Sequence, residues 1–141
     1  MLMKIFSWAI LGGMILIGLL FVSNIYVLGD TASAVLMHDD LPITASPLLV
    51  NMKVIITFIT GILFLLAALS IIRKNHNLSL AGVLGFALFD GFYILEVAMW
   101  ADIRPQIWTY FVVVGGIAFL FGVFCWRYWK AGRTHTVGAA A

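Results

Sequence analysis

Charge is scarce in this sequence. Asp, Glu, Lys and Arg together make up 10% of the 141 residues, against roughly a quarter in an average soluble domain. Hydrophobic residues make up 64%, against roughly half in such a domain. A chain this short has too little interior to hide so much apolar surface from water. A soluble globular fold and a disordered chain are therefore excluded, and the composition predicts an integral membrane protein.

Cysteine is nearly absent as well. Cys125 stands alone, which excludes an intrachain disulfide and any metal or iron–sulfur site built from several cysteines. The net charge of only +2 leaves no broad basic face for nucleic acid. The chain also lacks a paired-histidine helix motif, a glycine-rich phosphate loop and a Ser-His-Asp set. We therefore expect no cofactor, no metal site and no nucleic-acid partner.

Four long apolar runs stand out, and each is near the ~20 residues that a helix needs to cross ~30 Å of hydrocarbon. The runs cover residues of about 5–29, 48–72, 80–101 and 107–126. None alternates apolar with polar residues, as a transmembrane strand would. The sequence predicts a single all-α membrane domain, a four-transmembrane-helix bundle over residues 1–141. An outer loop at 30–47 and a fraying tail at 127–141 complete it.

The first run has a cleaved signal peptide as its alternative reading, because an Ala32-Ser33-Ala34 stretch follows it. Its apolar core is much longer than the ~7–15 residues of a signal peptide, so we interpret the run as a true span.

Basic residues collect at one end of the predicted bundle, where cytoplasmic loops normally carry them. They are Lys4, Arg73, Lys74, Arg127, Lys130 and Arg133. The sequence thus predicts that both termini are cytoplasmic, in a bacterial inner membrane, and that the acidic loop faces outward. In outline, four spans of this size with both ends inside resemble the small DoxX-like bacterial membrane proteins. That resemblance is one of architecture, and it implies the four-helix fold alone.

Two opposite charges share one depth in the predicted bundle. Lys53 lies about five residues inside the outer end of the second span, and Glu96 about five residues inside the outer end of the third. Because these spans run antiparallel, both side chains start ~7–8 Å below the outer boundary. We predict an ion pair, either a structural bridge between helices or part of a functional site. The alternative is that Lys53 extends outward without a partner.

Asp90 lies six residues deeper than Glu96, with no basic residue at its level. We expect it to face the bundle interior as a neutral acid, because burial disfavours a lone charge. Tyr93 lies between the two acids, so Asp90, Tyr93 and Glu96 are expected to share one broad polar face. Asp90 is either a hydrogen-bonded structural acid or a proton-relay or ligand-binding group.

Further polar side chains collect at the same outer level. They are Asn24, Asn51 and Thr57 within the spans, and His38, Asp39 and Asp40 in the loop above them. The sequence therefore predicts a polar pocket that opens to the outer face and has Asp90 as its floor. Three adjacent loop residues rarely converge on one ion, so we interpret the His38–Asp40 segment as a solvated acidic loop.

Small residues recur on the last two spans. The pairs Ala81/Gly85 and Ala87/Gly91 have four-residue spacing, and Gly115, Gly116 and Gly122 follow on the fourth span. Such residues let helix backbones approach closely in a membrane, so all of them are predicted to be packing positions.

These features favour a non-catalytic subunit or accessory protein of a larger inner-membrane complex. Its partners would be the lipid bilayer and either other membrane subunits or further copies of itself. The alternative is a small homo-oligomeric proton- or ion-coupled transporter or channel that uses Asp90, Glu96 and Lys53. A third hypothesis is a quinone-binding or redox subunit with its site in the outer leaflet, which the lack of a nucleophile or paired-histidine set disfavours.

Overall fold

The structure is a computed structural model that describes residues 2–30, 46–103 and 105–140, with side chains between residues 4 and 133 of those ranges. The described residues form five α-helices and no strand. The helices are α1 (Leu2–Ser23), α2 (Pro47–Ile72), α3 (Leu80–Trp100), α4 (Gln106–Tyr110) and α5 (Gly116–Ala140). Two 3₁₀ turns, Asn24–Val27 and Asn77–Ser79, extend α1 and precede α3.

A π-helical segment, Phe111–Gly115, joins α4 to α5 without a break. We call α4, this segment and α5 together the fourth helix. Four stretches are then long and apolar enough to cross a membrane: Lys4–Val27, Pro47–Ile72, Asn77–Trp100 and Gln106–Arg133. Among the described residues, the predicted all-helical fold with four membrane-length helices is confirmed, and four such helices suggest a membrane protein.

Helix ends follow local chemistry. The Ser46 hydroxyl accepts a hydrogen bond from the Leu49 backbone N–H at 3.3 Å, and Pro47 occupies the first helical position of α2. Both features are typical of helix starts. At the end of α1, the Ser23 hydroxyl donates to the Leu20 carbonyl at 2.6 Å. Such a bond competes with regular helix geometry, and α1 tightens there into the 3₁₀ turn.

The chain beyond residue 126 differs from the sequence prediction. A fraying tail was expected from Arg127, but α5 continues to Ala140. Aromatic and basic side chains support the extension, because the Trp126 and Trp129 rings lie 5.0 Å apart and the Arg133 guanidinium lies 5.0 Å from the Trp129 ring. These pairs have the three- and four-residue spacings at which side chains meet on a helix.

Consecutive helices pack side by side, so α2 lies between α1 and α3, and α3 lies between α2 and the fourth helix. Backbones touch where α1 crosses α2: a Cβ on Gly61 would lie 2.7 Å from the Gly18 carbonyl oxygen. Gly85 packs on Phe64, where a Cβ would lie 3.0 Å from the ring. By contrast, α1 and α5 scarcely meet.

Some of the glycines predicted as packing positions pack within this chain, and others do not. A Cβ on Gly122 would lie 2.9 Å from Phe86, so this glycine lets α3 and α5 approach. A Cβ on Gly91 or on Gly116 would meet no atom within 4 Å. Four-residue spacing identifies a shared helix face, but it does not say whether that face turns toward the bundle or away from it.

Aromatic rings join all four membrane-length helices near the bundle centre. Phe64 of α2 is fully buried and meets Phe121 of α5 edge-on at 5.3 Å. Phe21 of α1 lies 6.4 Å from Phe64 and stacks on Phe89 of α3 at 5.1 Å. We call Phe21, Phe64, Phe89 and Phe121 the aromatic cluster.

The turn after α2 closes with paired backbone hydrogen bonds. The Asn75 N–H donates to the Ser70 carbonyl at 2.8 Å, and the Lys74 N–H donates to the Ile71 carbonyl at 3.2 Å. This is the Schellman pattern, in which the residue after the cap takes a left-handed conformation and is usually glycine. Here that residue is Lys74, with φ of 57°. A lysine in this conformation costs roughly 1–2 kcal/mol.

Candidate functional site

The structure brings Lys53 and Glu96 together. The Lys53 Nζ donates to the Glu96 Oε2 at 2.7 Å, joining α2 to α3. The two side chains are 4% and 0% exposed. The Lys53 Nζ also lies 4.3 Å from the centre of the Tyr93 ring, whose electron-rich face attracts a cation. Three of the residues identified from the sequence thus form one buried cluster.

Apolar residues cover this cluster on the side of the loop. Val27, Val50 and Val54 form a buried group, and Trp100 packs against it. This cover keeps the charges away from water, which strengthens their mutual attraction and makes the loss of either partner costly. The pair is therefore enclosed. The polar pocket that the sequence predicts at the outer face stays a prediction, because its loop residues lie outside the described residues.

Asn24 and Asn51 lie at the same end of the bundle. The Asn51 Oδ1 accepts a hydrogen bond from the Gly29 backbone N–H at 3.1 Å. This bond ties the chain that follows α1 to the first turns of α2. Asn24 is 9% exposed and begins the 3₁₀ turn. The contact of Asn51 is structural, because it satisfies a backbone donor near the start of the loop.

Two threonines continue the buried stripe of α2 below Lys53. Thr57 is 2% exposed and Thr60 is 0% exposed. Among the described residues, neither hydroxyl has a hydrogen-bond partner. A buried polar group without a partner costs roughly 1–3 kcal/mol, so these hydroxyls form a feature that packing alone does not explain.

Asp90 lies six residues deeper along α3 than Glu96. It is the central residue of the 21-residue α3 and lies ~15 Å from either end. Its carboxyl faces the fourth helix: a Cβ on Gly115 would lie 3.3 Å from the Asp90 Oδ1. That oxygen is buried, and within the described part of the chain it has no hydrogen-bond partner.

The fourth helix is irregular where Asp90 meets it. Gly115 is the last residue of the π-helical segment Phe111–Gly115. The Phe111 ring at the start of that segment lies 5.8 Å from the Tyr93 ring. π-Helical turns are rare and often mark functional sites. Here the segment borders both Tyr93 and Asp90, so it connects the two regions that α3 otherwise separates.

The loop residues predicted as a solvated acidic segment, His38, Asp39 and Asp40, lie outside the described residues. Within the described ranges, no group of three His, Cys, Asp or Glu side chains has the geometry to hold a metal ion.

Sequence reasoning missed two residues. Thr60 has the seven-residue spacing from Lys53 that places both on one helix face, and this spacing is a usable signal. His76 has no such signal. Its Nδ1 lies 3.0 Å from the Tyr128 carbonyl oxygen, its ring stacks on the Tyr128 ring at 4.3 Å, and it packs against Gly132. His76 therefore fixes the α2–α3 turn to the extended end of α5.

The ion pair generates a stability prediction. We expect Lys53→Met or Glu96→Gln alone to lower the free energy of unfolding by about 3–5 kcal/mol, because each leaves one buried charge unpaired. The double variant should be more stable than Lys53→Met. Thermal unfolding in mild detergent measures this, with Arg73→Gln as the exposed control. Equal stability of Lys53→Met and the double variant would show that the pair contributes nothing.

The chain matches no protein-family model, no curated protein and no solved structure. No residue therefore takes a role from a relative, and the role of each side chain follows from its own position and contacts. Two different features emerge on those grounds. The Lys53–Glu96 pair fastens α2 to α3, whereas Asp90 presents a partly buried carboxyl to a different helix at the middle of the bundle.

Proposed function

We propose that this chain is a non-catalytic subunit of a larger inner-membrane complex and that it docks through the outward face of α3. The observation that carries the proposal is the position of Ala87 and Gly91. Both are exposed near the middle of α3, and a Cβ on Gly91 would meet no atom within 4 Å. Small residues at this spacing form a shallow groove that lets a second helix approach closely.

Asp90 strengthens this proposal, because it lies at the edge of the groove. On a helix, Asp90 is turned by ~60° from Ala87 and ~100° from Gly91. It is only partly buried, so part of the side chain faces hydrocarbon. A charged side chain at the bilayer centre costs ~2.5–3.5 kcal/mol on insertion scales. A helix seated on the groove would cover Asp90 and supply a hydrogen-bond partner.

The rest of the bundle supports a docking role for this face. The opposite side of α3 is fixed to α2 by the Lys53–Glu96 pair and by the contact between Gly85 and Phe64. The groove is therefore presented by a helix whose position is already set. A preorganised surface loses little conformational entropy on binding.

The groove leads to a prediction about association. We expect Gly91→Leu to abolish co-purification of the partner subunits in mild detergent, because a large side chain fills the groove. Gly12→Leu is the matched control, since Gly12 is also exposed and a Cβ there also meets no atom within 4 Å. Native purification followed by mass spectrometry measures both.

Three outcomes separate the possibilities. Loss of defined partners in Gly91→Leu but not in Gly12→Leu supports the subunit role. A wild-type homo-oligomer that Gly91→Leu dissociates would overturn the hetero-complex and place a second copy in the groove. Unchanged association in Gly91→Leu would exclude the groove as the interface.

The proposed orientation places both termini in the cytoplasm, supported by the basic residues collected at that end. We expect a membrane-impermeant maleimide to label Asp40→Cys in intact cells and Thr136→Cys only after permeabilisation. The wild-type chain is the control, because its single cysteine, Cys125, is fully buried. Labelling of Thr136→Cys in intact cells would reverse the orientation.

A second candidate function is proton or cation transfer, and the unpartnered polar groups favour it. Thr57, Thr60 and Asp90 each hold a buried oxygen that has no hydrogen-bond partner in the described part of the chain. Thr60 lies seven residues below Lys53, and Asp90 six residues below Glu96, so both lie ~9–10 Å below the ion pair. We call the part of the bundle from the Lys53–Glu96 pair down to Thr60 and Asp90 the polar half.

The aromatic cluster lies beyond this polar half. Phe64 follows Thr60 by one helical turn and is fully buried. Its contacts with Phe21 and Phe121 fill the space between helices. In this conformation the apolar residues over the ion pair close the polar end, so a proton or cation would have to pass that cover to reach Asp90. Transfer across the whole membrane would require the aromatic cluster to open.

Asp90→Asn tests the transfer function. The amide keeps the shape of the side chain but does not ionise near neutral pH, so we expect the variant to fold and to lose proton flux. Proteoliposomes with an internal pH-sensitive dye and an imposed potassium-valinomycin potential measure the flux. Thr109→Val is a control at an exposed position of the fourth helix. Wild-type vesicles no leakier than protein-free vesicles would overturn the transfer function.

A further inference from the structure

A cavity of about 260 Å³ opens at the basic end of the bundle, far from Asp90 and the ion pair. It lies where α1 and α5 scarcely meet, with the end of α2 between them. Its lining residues are Ser7, Trp8, Leu11, Ile71, Ile72, Lys74 and Phe124. Most of this lining is apolar, and one basic side chain belongs to it.

The lining residues combine apolar walls with features of a membrane interface. Leu11 and Phe124 contribute to the hydrophobic core of the bundle. Trp8 is 70% exposed, and tryptophan side chains favour the headgroup level of a bilayer. Lys74 lies just beyond the last residue of α2. The cavity therefore has mainly apolar walls and a basic residue, Lys74, at its edge.

The backbone at Lys74 gives a second, independent observation. Its φ of 57° places a lysine where a Schellman turn normally has glycine. Backbone strain of this kind persists where surrounding contacts hold the residue in place, and it occurs often at ligand-binding positions. A glycine would satisfy the turn more easily, but it would remove the one cation that lines the cavity.

The charge of this end of the molecule indicates what the cavity binds. The acidic residues of the whole chain are Asp30, Asp39, Asp40, Asp90, Glu96 and Asp102. Of these, the described Asp30, Asp90, Glu96 and Asp102 all lie more than 15 residues along the chain from Lys4, Arg73 and Lys74. Arg73 and Lys74 follow α2, and Lys4 lies one helical turn before Trp8. Clusters of basic residues at a membrane boundary attract anionic lipids, by ~1 kcal/mol per residue near the surface.

We propose that this cavity holds one anionic phospholipid. An acyl chain occupies the apolar part between α1 and α5, and the phosphate group lies against Lys74. Apolar walls beside a single cation match a lipid, which is amphipathic, better than they match a small soluble anion. The proposal is independent of the docking groove, which lies on α3 at the middle of the bundle.

Lipid titration of the purified, delipidated full chain tests the proposal. The probes are phosphatidylglycerol, phosphatidylcholine and glycerol 1-phosphate, and the readouts are the Tm and the bound lipid seen by native mass spectrometry. A ligand that binds the folded state raises the Tm by mass action. We expect phosphatidylglycerol to bind and to raise the Tm, and the other two probes to have little effect.

Substitutions at neighbouring positions separate a specific site from general attraction. Lys74→Gln should weaken phosphatidylglycerol binding by roughly tenfold, the loss of one charge-assisted contact. Arg73→Gln, which removes the same charge from a residue outside the cavity lining, should weaken binding clearly less, by at most the roughly fivefold that ~1 kcal/mol of surface attraction represents. Lys74→Gly relieves the backbone strain, so it should keep or raise the lipid-free Tm while losing the lipid response.

Each contrary outcome overturns the proposal. Equal binding of phosphatidylcholine would show that the phosphate charge is not recognised. Equal losses in Lys74→Gln and Arg73→Gln would reduce the effect to a surface potential. A full Tm shift with glycerol 1-phosphate would replace the lipid by a free phosphate ester.

Discussion

A charge buried among apolar side chains must find its opposite, and this requirement sets the position of α3 in the bundle. Lys53 and Glu96 lie 2.7 Å apart with almost no exposure, so neither helix can slide or rotate without separating them. Valine side chains and Trp100 cover the pair on one side. At the other end, His76 holds the α2–α3 turn against α5. The helical hairpin of α2 and α3 is thus fixed at both ends.

With its position fixed, α3 presents three different surfaces. One side carries Glu96 and Tyr93 toward α2. A second side meets the fourth helix, where Phe86 packs on Gly122 and Asp90 lies against Gly115. The third side carries the exposed Ala87 and Gly91, and a Cβ on Gly91 would meet no atom within 4 Å in the described structure. All three surfaces belong to one helix. A partner bound to the third surface at Gly91 would therefore lie next to Asp90, the preceding residue, at the edge of the second surface.

Several features could be predicted from the sequence because they depend on depth alone. The lengths of the apolar runs indicated four spans, and the shared depth of Lys53 and Glu96 indicated their contact. Features that depend on rotation about the helix axis could not be predicted in this way. Ala81/Gly85 and Ala87/Gly91 have the same spacing, yet Gly85 packs inside and Gly91 faces outward. Asp90 faces the fourth helix at Gly115, the last residue of a π-helical segment that no residue pattern indicated.

The two proposed functions differ in where Asp90 finds its hydrogen-bond partner. If a second helix covers the groove, the partner comes from outside the chain, and the carboxyl contributes to assembly. If no helix covers it, the carboxyl is open to a transferred proton or cation, as are the Thr57 and Thr60 hydroxyls of α2, which have no hydrogen-bond partner among the described residues. Buried hydroxyls on a different helix add nothing to a contact on the outward face of α3. The free-energy cost of burying these two hydroxyls therefore needs a separate explanation. A proton or cation that enters the polar half would provide that explanation, and such transfer is compatible with a chain whose main role is to join a complex.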